Sequence, residues 1–157
     1  MKKIVYISMF LIAGFLNAVT AQETKEDIFE KESKYRFEET IAMIQKSAKA
    51  AGWTIPVKHD IQDILMKSGE TSPPATIIAL CKKSIATRVM GIEDANEILA
   101  LMPCRIAVYE KSDGKTYVSW ANLSKANLEV NTPKSTILND AAEELKAIAD
   151  NVVKETN

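Results

Sequence analysis

The sequence predicts an α+β domain, an antiparallel sheet with helices packed on one face. Three observations carry that prediction. Leu101 to Trp120 reads as a β-hairpin: alternating side chains lead into Asp113-Gly114, and Lys115 to Trp120 runs back. Two segments repeat apolar residues at three- and four-residue spacing, as amphipathic helices do. Ala75 to Cys81 is a continuous apolar run after a Ser72-Pro73-Pro74 turn, which fits a buried strand. Mixed helices and strands with a hairpin fit helices segregated to one side of a sheet.

Residues 1–21 are read as a signal peptide outside that domain. Lys2 and Lys3 form a basic start, Ile4 to Leu16 an apolar core, and Val19-Thr20-Ala21 a small-residue cleavage site. The apolar core falls short of the roughly 20 residues a bilayer span needs. No cysteine lies near the cleavage point to accept a lipid. The expectation is an exported bacterial protein, periplasmic or secreted, with no stable membrane anchor after cleavage. Removing Lys2 and Lys3 from 20 basic side chains leaves 18 against 21 acidic ones, a net charge of −3. The charges are interspersed without a basic stripe, so nucleic acid is not an expected partner.

Residues 22–34 are read as a charged N-terminal extension, and 35–155 as a single domain with a first strand near Tyr35. Phe37, Ile41, Ile44, Ala48 and Ala51 mark a helix that Gly52 stops. Trp53 to Val57 reads as a strand, at an edge or bulged because Pro56 lacks a donor. Asp60 is placed to cap a short helix carrying Ile61, Ile64 and Leu65 and ending at Ser68-Gly69. Lys82 to Met90 and Asp94 to Met102 are expected as short helices parted by Gly91, with Pro103 ending the second. Asn127 to Asn131 is expected to add an extended piece. Thr132 then caps a last helix, 133–154, with Pro133 at its first position. Its apolar stripe is Ile137, Leu138, Ala141, Leu145, Ile148, Ala149 and Val152.

Four segments in order resemble the bacterial and archaeal domain-of-unknown-function family 302. They are Phe37 to Ile41 (F-E-E-T-I), Gly52 to Gln62 (G-W-T-I-P-V-K-H-D-I-Q), the I-A-L-C strand end at Cys81, and Leu101 to Glu110 (L-M-P-C-R-I-A-V-Y-E). The resemblance covers about residues 35 to 130. It implies a curved antiparallel sheet of the TATA-binding-protein-like class and a homodimer. Many relatives follow the first cysteine with a polar residue and proline, often His-Pro. Here Cys81-Lys82-Lys83-Ser84 stands instead, which weakens any metal or cofactor role carried over from the family.

The candidate site residues are Cys81, Cys104 and His59. Cys81 ends a strand and begins a helix, where unpaired N–H groups and Lys82 and Lys83 favour a thiolate. Cys104 starts the hairpin. In an oxidising compartment two cysteines suggest one disulfide, closing a loop of roughly two dozen residues worth about 3 kcal/mol. Kept free, they are candidate metal ligands or a redox pair. His59, the sole histidine, could complete a Cys-Cys-His set but reads more simply as a loop residue. Met66, Met90 and Met102 could bind Cu(I) but fit core filling better. Tyr109, Tyr117, Trp53 and Trp120 could line a pocket or simply pack. Glu110 and Asp113 lack a partner for acid–base work, and no nucleophile-elbow, zincin, Walker or dinucleotide motif is present. Asn122-Leu123-Ser124 matches a glycosylation triplet, relevant only in a eukaryotic secretory route.

Three functions follow. The first is a non-catalytic exported binding module whose ligand near Cys81 and Cys104 is a soft metal ion, a haem-like or sulfur-linked group, or another small molecule. The second is a thiol-redox enzyme with Cys81 attacking and Cys104 resolving. The third is an interaction protein stapled by a disulfide.

Overall fold

The computed structural model describes residues 27–126 and 131–155. The signal-peptide reading and most of the extended piece at Asn127 to Asn131 lie outside them. Among the described residues no helix is long and apolar enough to cross a membrane.

Five strands form one antiparallel sheet: β1 (Ile28–Glu32), β2 (Lys58–Asp60), β3 (Ala75–Leu80), β4 (Cys104–Glu110) and β5 (Thr116–Ala121). Their order is β1-β5-β4-β3-β2. The hairpin β4–β5 sits inside the sheet, flanked by β1 and β3. At its turn Gly114 takes φ +74 and its N–H donates to the Lys111 carbonyl at 2.9 Å. A side chain at that left-handed position would be strained.

Helices α1 (Phe37–Ala50), α3 (Lys83–Met90) and α4 (Pro133–Asp150) supply the core with the sheet; α2 (Ile61–Lys67) contributes no buried residue. The core lies on the sheet face carrying Ile78 and Leu80, Cys104, Ile106 and Val108, and Val118 and Trp120, all at most 6% exposed. Against it lie Ile44 and Ala48 of α1, Val89 of α3, and Leu145 and Ile148 of α4. Each such aliphatic side chain contributes about 1.5–3 kcal/mol on full burial. Asp60 caps α2, accepting from the Asp63 N–H at 2.9 Å. Thr132 and Ser135 form a reciprocal capping box ahead of Pro133, and the expected apolar stripe of α4 is buried.

Four expectations are corrected. The first strand is Ile28–Glu32, not a segment near Tyr35, and it pairs along β5. Its charged sequence hid it, because it is an edge strand with one face open. Residues 28–32, expected as part of an extension, therefore belong to the sheet. The strand expected at Trp53 to Val57 is reduced to a bridge at Thr54, and β2 itself begins at Lys58. Pro56, which has no N–H, delays regular pairing, and β2 is the edge expected of it. The helix expected over Asp94 to Met102 is a 3-10 turn at Asn96–Leu101. Finally, Met66 and Met90 are not core residues: they are 62% and 63% exposed.

Candidate functional site

The β4 neighbours part company at one end of the sheet. Pairing of β4 with β3 continues to Leu80 opposite Cys104. Pairing of β4 with β5 stops at Ile106 opposite Trp120. Beyond that point β5 stays with β1, through Ile28 opposite Ala121 and an Asn122 N–H bond to the Asp27 carbonyl at 2.8 Å. A wedge opens between the two central strands. The chain enters it from the 3-10 turn at Asn96–Leu101 through Pro103, and leaves it through a second 3-10 turn at Leu123–Lys125.

The wedge holds a cavity of about 340 Å³. From the helix-covered side it is lined by Leu101, Cys104, Trp120, Leu123 and Leu145. From the other side of the sheet come Ile28, Ile77, Arg105, Ala107, Ser119 and Ala121. Residues of both faces line it because it passes through the split in the ladder. Its wall is mostly hydrocarbon, with few polar groups. Beneath the wall lies one buried polar atom without a partner. Trp120 is 3% exposed and its indole Nε1 is buried without a hydrogen-bond partner. An unpaired buried donor costs about 1–3 kcal/mol. The other tryptophan shows the contrast: Trp53, equally buried, donates its Nε1–H to Glu144 Oε2 at 2.7 Å, where Lys82 Nζ also donates at 2.5 Å.

Cys104 is buried on the wedge wall, and burial pushes its thiol up to about 11, with the nearby Cys81 adding to the shift. It is a neutral thiol at neutral pH. Cys81 is half-buried beyond the end of β3, where its backbone exchanges two hydrogen bonds with Thr54 at 2.8 and 2.9 Å. Both cysteines are free thiols. Leu80, not Cys81, stands opposite Cys104, so the two cysteines are one residue out of register.

His59 stands apart from the cysteines. It lies on edge strand β2 opposite Ile77, four residues before Cys81 along β3. Among the described residues no group of three or more His, Cys, Asp or Glu side chains is placed to hold a metal ion. Of the four aromatic candidates only Trp120 lines the wedge. Tyr109 and Tyr117 stack at 6.3 Å on the uncovered sheet face, with Lys111 Nζ 4.1 Å from the Tyr117 ring centre. Tyr117 donates to Asp113, and Tyr109 donates to Glu30. Asp113 thus serves the hairpin turn.

Sequence reasoning missed Arg105 and Ser119 as wall residues. The signal was present: both fall on the outward-facing alternate of strands already recognised. Missing was the break in the β4–β5 ladder, which exposes those positions to a cavity.

The family described as domain of unknown function DUF302 matches residues 29–152. The chain belongs to this family. The match begins and ends beyond the 35 to 130 read from motifs, in agreement with β1 and α4 being integral to the fold. A crystal structure of an uncharacterised conserved DUF302 protein from Bacillus stearothermophilus is similar, with a TM-score of 0.70 and 23% sequence identity. The similarity covers 79% of this chain and 96% of that one. At that identity the likeness speaks for the shared fold. No curated protein matches the chain.

Proposed function

We propose that this DUF302 protein is an exported, non-catalytic binding module that holds a small organic ligand in the wedge between β4 and β5, against Cys104. The observation that carries the reading is the cavity of about 340 Å³, walled mostly by hydrocarbon, between β4 and β5. Small-molecule sites are typically about 300–1,000 Å³, largely apolar, with a few placed polar groups. The Cys104 thiol, raised to about 11, favours a packed organic ligand over a metal ion or a redox partner, since both of those need a thiolate. Export rests on the basic, apolar and small-residue layout of residues 1–21.

The test is the native mass of the protein taken from the exporting cell. We expect a mature chain beginning near Gln22 and a stoichiometric added mass that is lost on denaturation. Ala107→Leu, which grows a side chain into the wedge, is expected to abolish the added mass while the protein stays folded. An added mass retained in that variant would place the ligand elsewhere. If the native protein carries no added mass and no compound of a broad library raises its melting temperature, the binding reading is wrong.

A further inference from the structure

We propose that β2 is the seam at which a second copy of this chain adds, antiparallel and centred on His59, so that two five-stranded sheets become one. The two edges of the sheet differ. Along β1 the chain supplies its own cover. The Lys34 N–H donates to the Val152 carbonyl and the Lys154 N–H to the Glu32 carbonyl, while Glu30 and Glu32 hold Lys111, Lys115 and Lys154. Among the described residues nothing comparable lies along β2, whose three residues are all exposed. Val57 just before it, and Ile64 and Met66 on the helix that follows, are 41%, 49% and 62% exposed. A bare strand edge beside exposed apolar side chains is a template for another strand.

The backbone has the right phase for that pairing. The Ala79 N–H donates to the Val57 carbonyl at 3.0 Å, so Val57 turns its polar groups toward β3, and His59, two residues on, does the same. Lys58 and Asp60 therefore turn theirs away from the sheet. In a two-fold arrangement centred on His59, Lys58 lies across from Asp60 of the second copy. The Asp60 N–H of each copy then donates to the Lys58 carbonyl of the other.

The side chains select this register. Lys58 and Asp60 are in no ion pair among the described residues. Lys-His-Asp reads plus, neutral, minus, so its antiparallel copy sets unlike charges across the seam on both sides of His59. Sliding by two backbone phases of one residue each would set Lys58 against Lys58 or Asp60 against Asp60. Opposite charges directly across a strand pair attract and like charges repel.

Two experiments on the full mature chain test the seam. His59→Cys, made with Cys81→Ala and Cys104→Ala, would place two thiols across a non-hydrogen-bonded pair whose Cα atoms are about 4.5 Å apart. That separation suits a disulfide. We expect mild oxidation to link this variant into dimers about tenfold faster than the same background carrying Ile28→Cys or Leu99→Cys, both exposed away from the seam. In sedimentation, Lys58→Glu and Asp60→Lys should each weaken dimerisation about tenfold, and an equimolar mixture of the two should restore it as a heterodimer. Asp60 caps α2, but α2 buries no residue, so the core does not depend on that cap.

A native chain that stays monomeric up to its solubility limit would overturn the proposal. So would a dimer unaffected by Lys58→Glu, which would place the interface elsewhere, a mixture of folded variants that fails to associate, or a His59→Cys chain that links no faster than the two controls.

Discussion

Single side chains in this protein show how the same group behaves with and without a partner. Trp53 and Trp120 are buried to the same degree, yet only Trp53 has an acceptor, the Glu144 carboxylate. Glu144→Ala would leave a second buried indole N–H unpaired and strip Lys82 of its ion pair; we expect a loss of about 1–3 kcal/mol in urea unfolding. Glu144→Gln keeps an acceptor for Trp53 and gives up only a partly exposed ion pair, so its cost should stay below about 1 kcal/mol. Equal losses in the two variants would show that the charge and not the hydrogen bond matters. Cys104 gives a pH signature. Its folded value, about 11, lies above the ordinary thiol value of 9.0. A group whose folded pKa is raised supports the fold fully below its unfolded pKa and loses that support as pH rises toward the folded one. Between pH 8 and pH 10 the native protein should therefore lose about 1 kcal/mol relative to Cys104→Ala, whose own titration lacks this group. A difference that stays flat over that window would mean the thiol is not desolvated in solution.

Among the elements, those whose signals are local were legible, and those set by a partner were not. The hairpin was readable because Gly114 has to take positive φ and the flanking residues alternate. Helix α4 was readable because its cap, its proline and its stripe agree. Its capping box predicts that Thr132→Ala will cost about 1 kcal/mol by thermal or urea unfolding, since it frees the Ser135 N–H that the threonine oxygen accepts at 3.1 Å. A cost indistinguishable from zero would mean water replaces the cap. Strand β1 was not readable. Its pattern, with Glu30 and Glu32 on one side and Phe29 and Lys31 on the other, mixes charge onto both faces, and only pairing with β5 explains it. The candidate site was half legible for a related reason. Cys104 and Trp120 were singled out by type, but the wedge that joins them to Arg105 arises because β5 leaves β4 to follow β1. That competition between neighbouring strands has no signature in either strand's own residues. The exclusion of His59 likewise follows from register: four residues along a strand, at about 3.3 Å each, separate it from Cys81.

For the molecule as a whole, the N-terminal strand ties the two ends of the domain together. The Ser33 N–H donates to the Thr116 carbonyl and the Lys34 N–H to the Val152 carbonyl, both at 2.8 Å, while the Lys154 N–H donates to the Glu32 carbonyl at 2.9 Å. Beneath them Ser33 and Thr40, both buried, share a hydroxyl hydrogen bond of 2.7 Å. Glu32 accepts from Lys154 and Lys115, and these contacts hold its carboxyl below the usual carboxylate range. Phe29 meets the Trp120 ring at 5.4 Å and closes that side of the core. A chain beginning at Tyr35, where motifs alone would start the domain, would leave β5 as a long unpaired edge beside the wedge and uncover Trp120. Exposed edges of that kind recruit other chains. We expect this truncated chain to lose its cooperative thermal transition and its near-ultraviolet tryptophan signal, and to elute as aggregate. Glu32→Gln should keep the fold and only reduce the loss of stability on acidification, because a depressed carboxyl stabilises the fold above its unfolded pKa and withdraws that support as pH falls through its folded one. A cooperative melt in the truncated chain close to that of the full chain would instead show that β4, β5 and the helices hold the wedge without β1. Strand β5 would then be free to close onto β4, and the cavity would close with it.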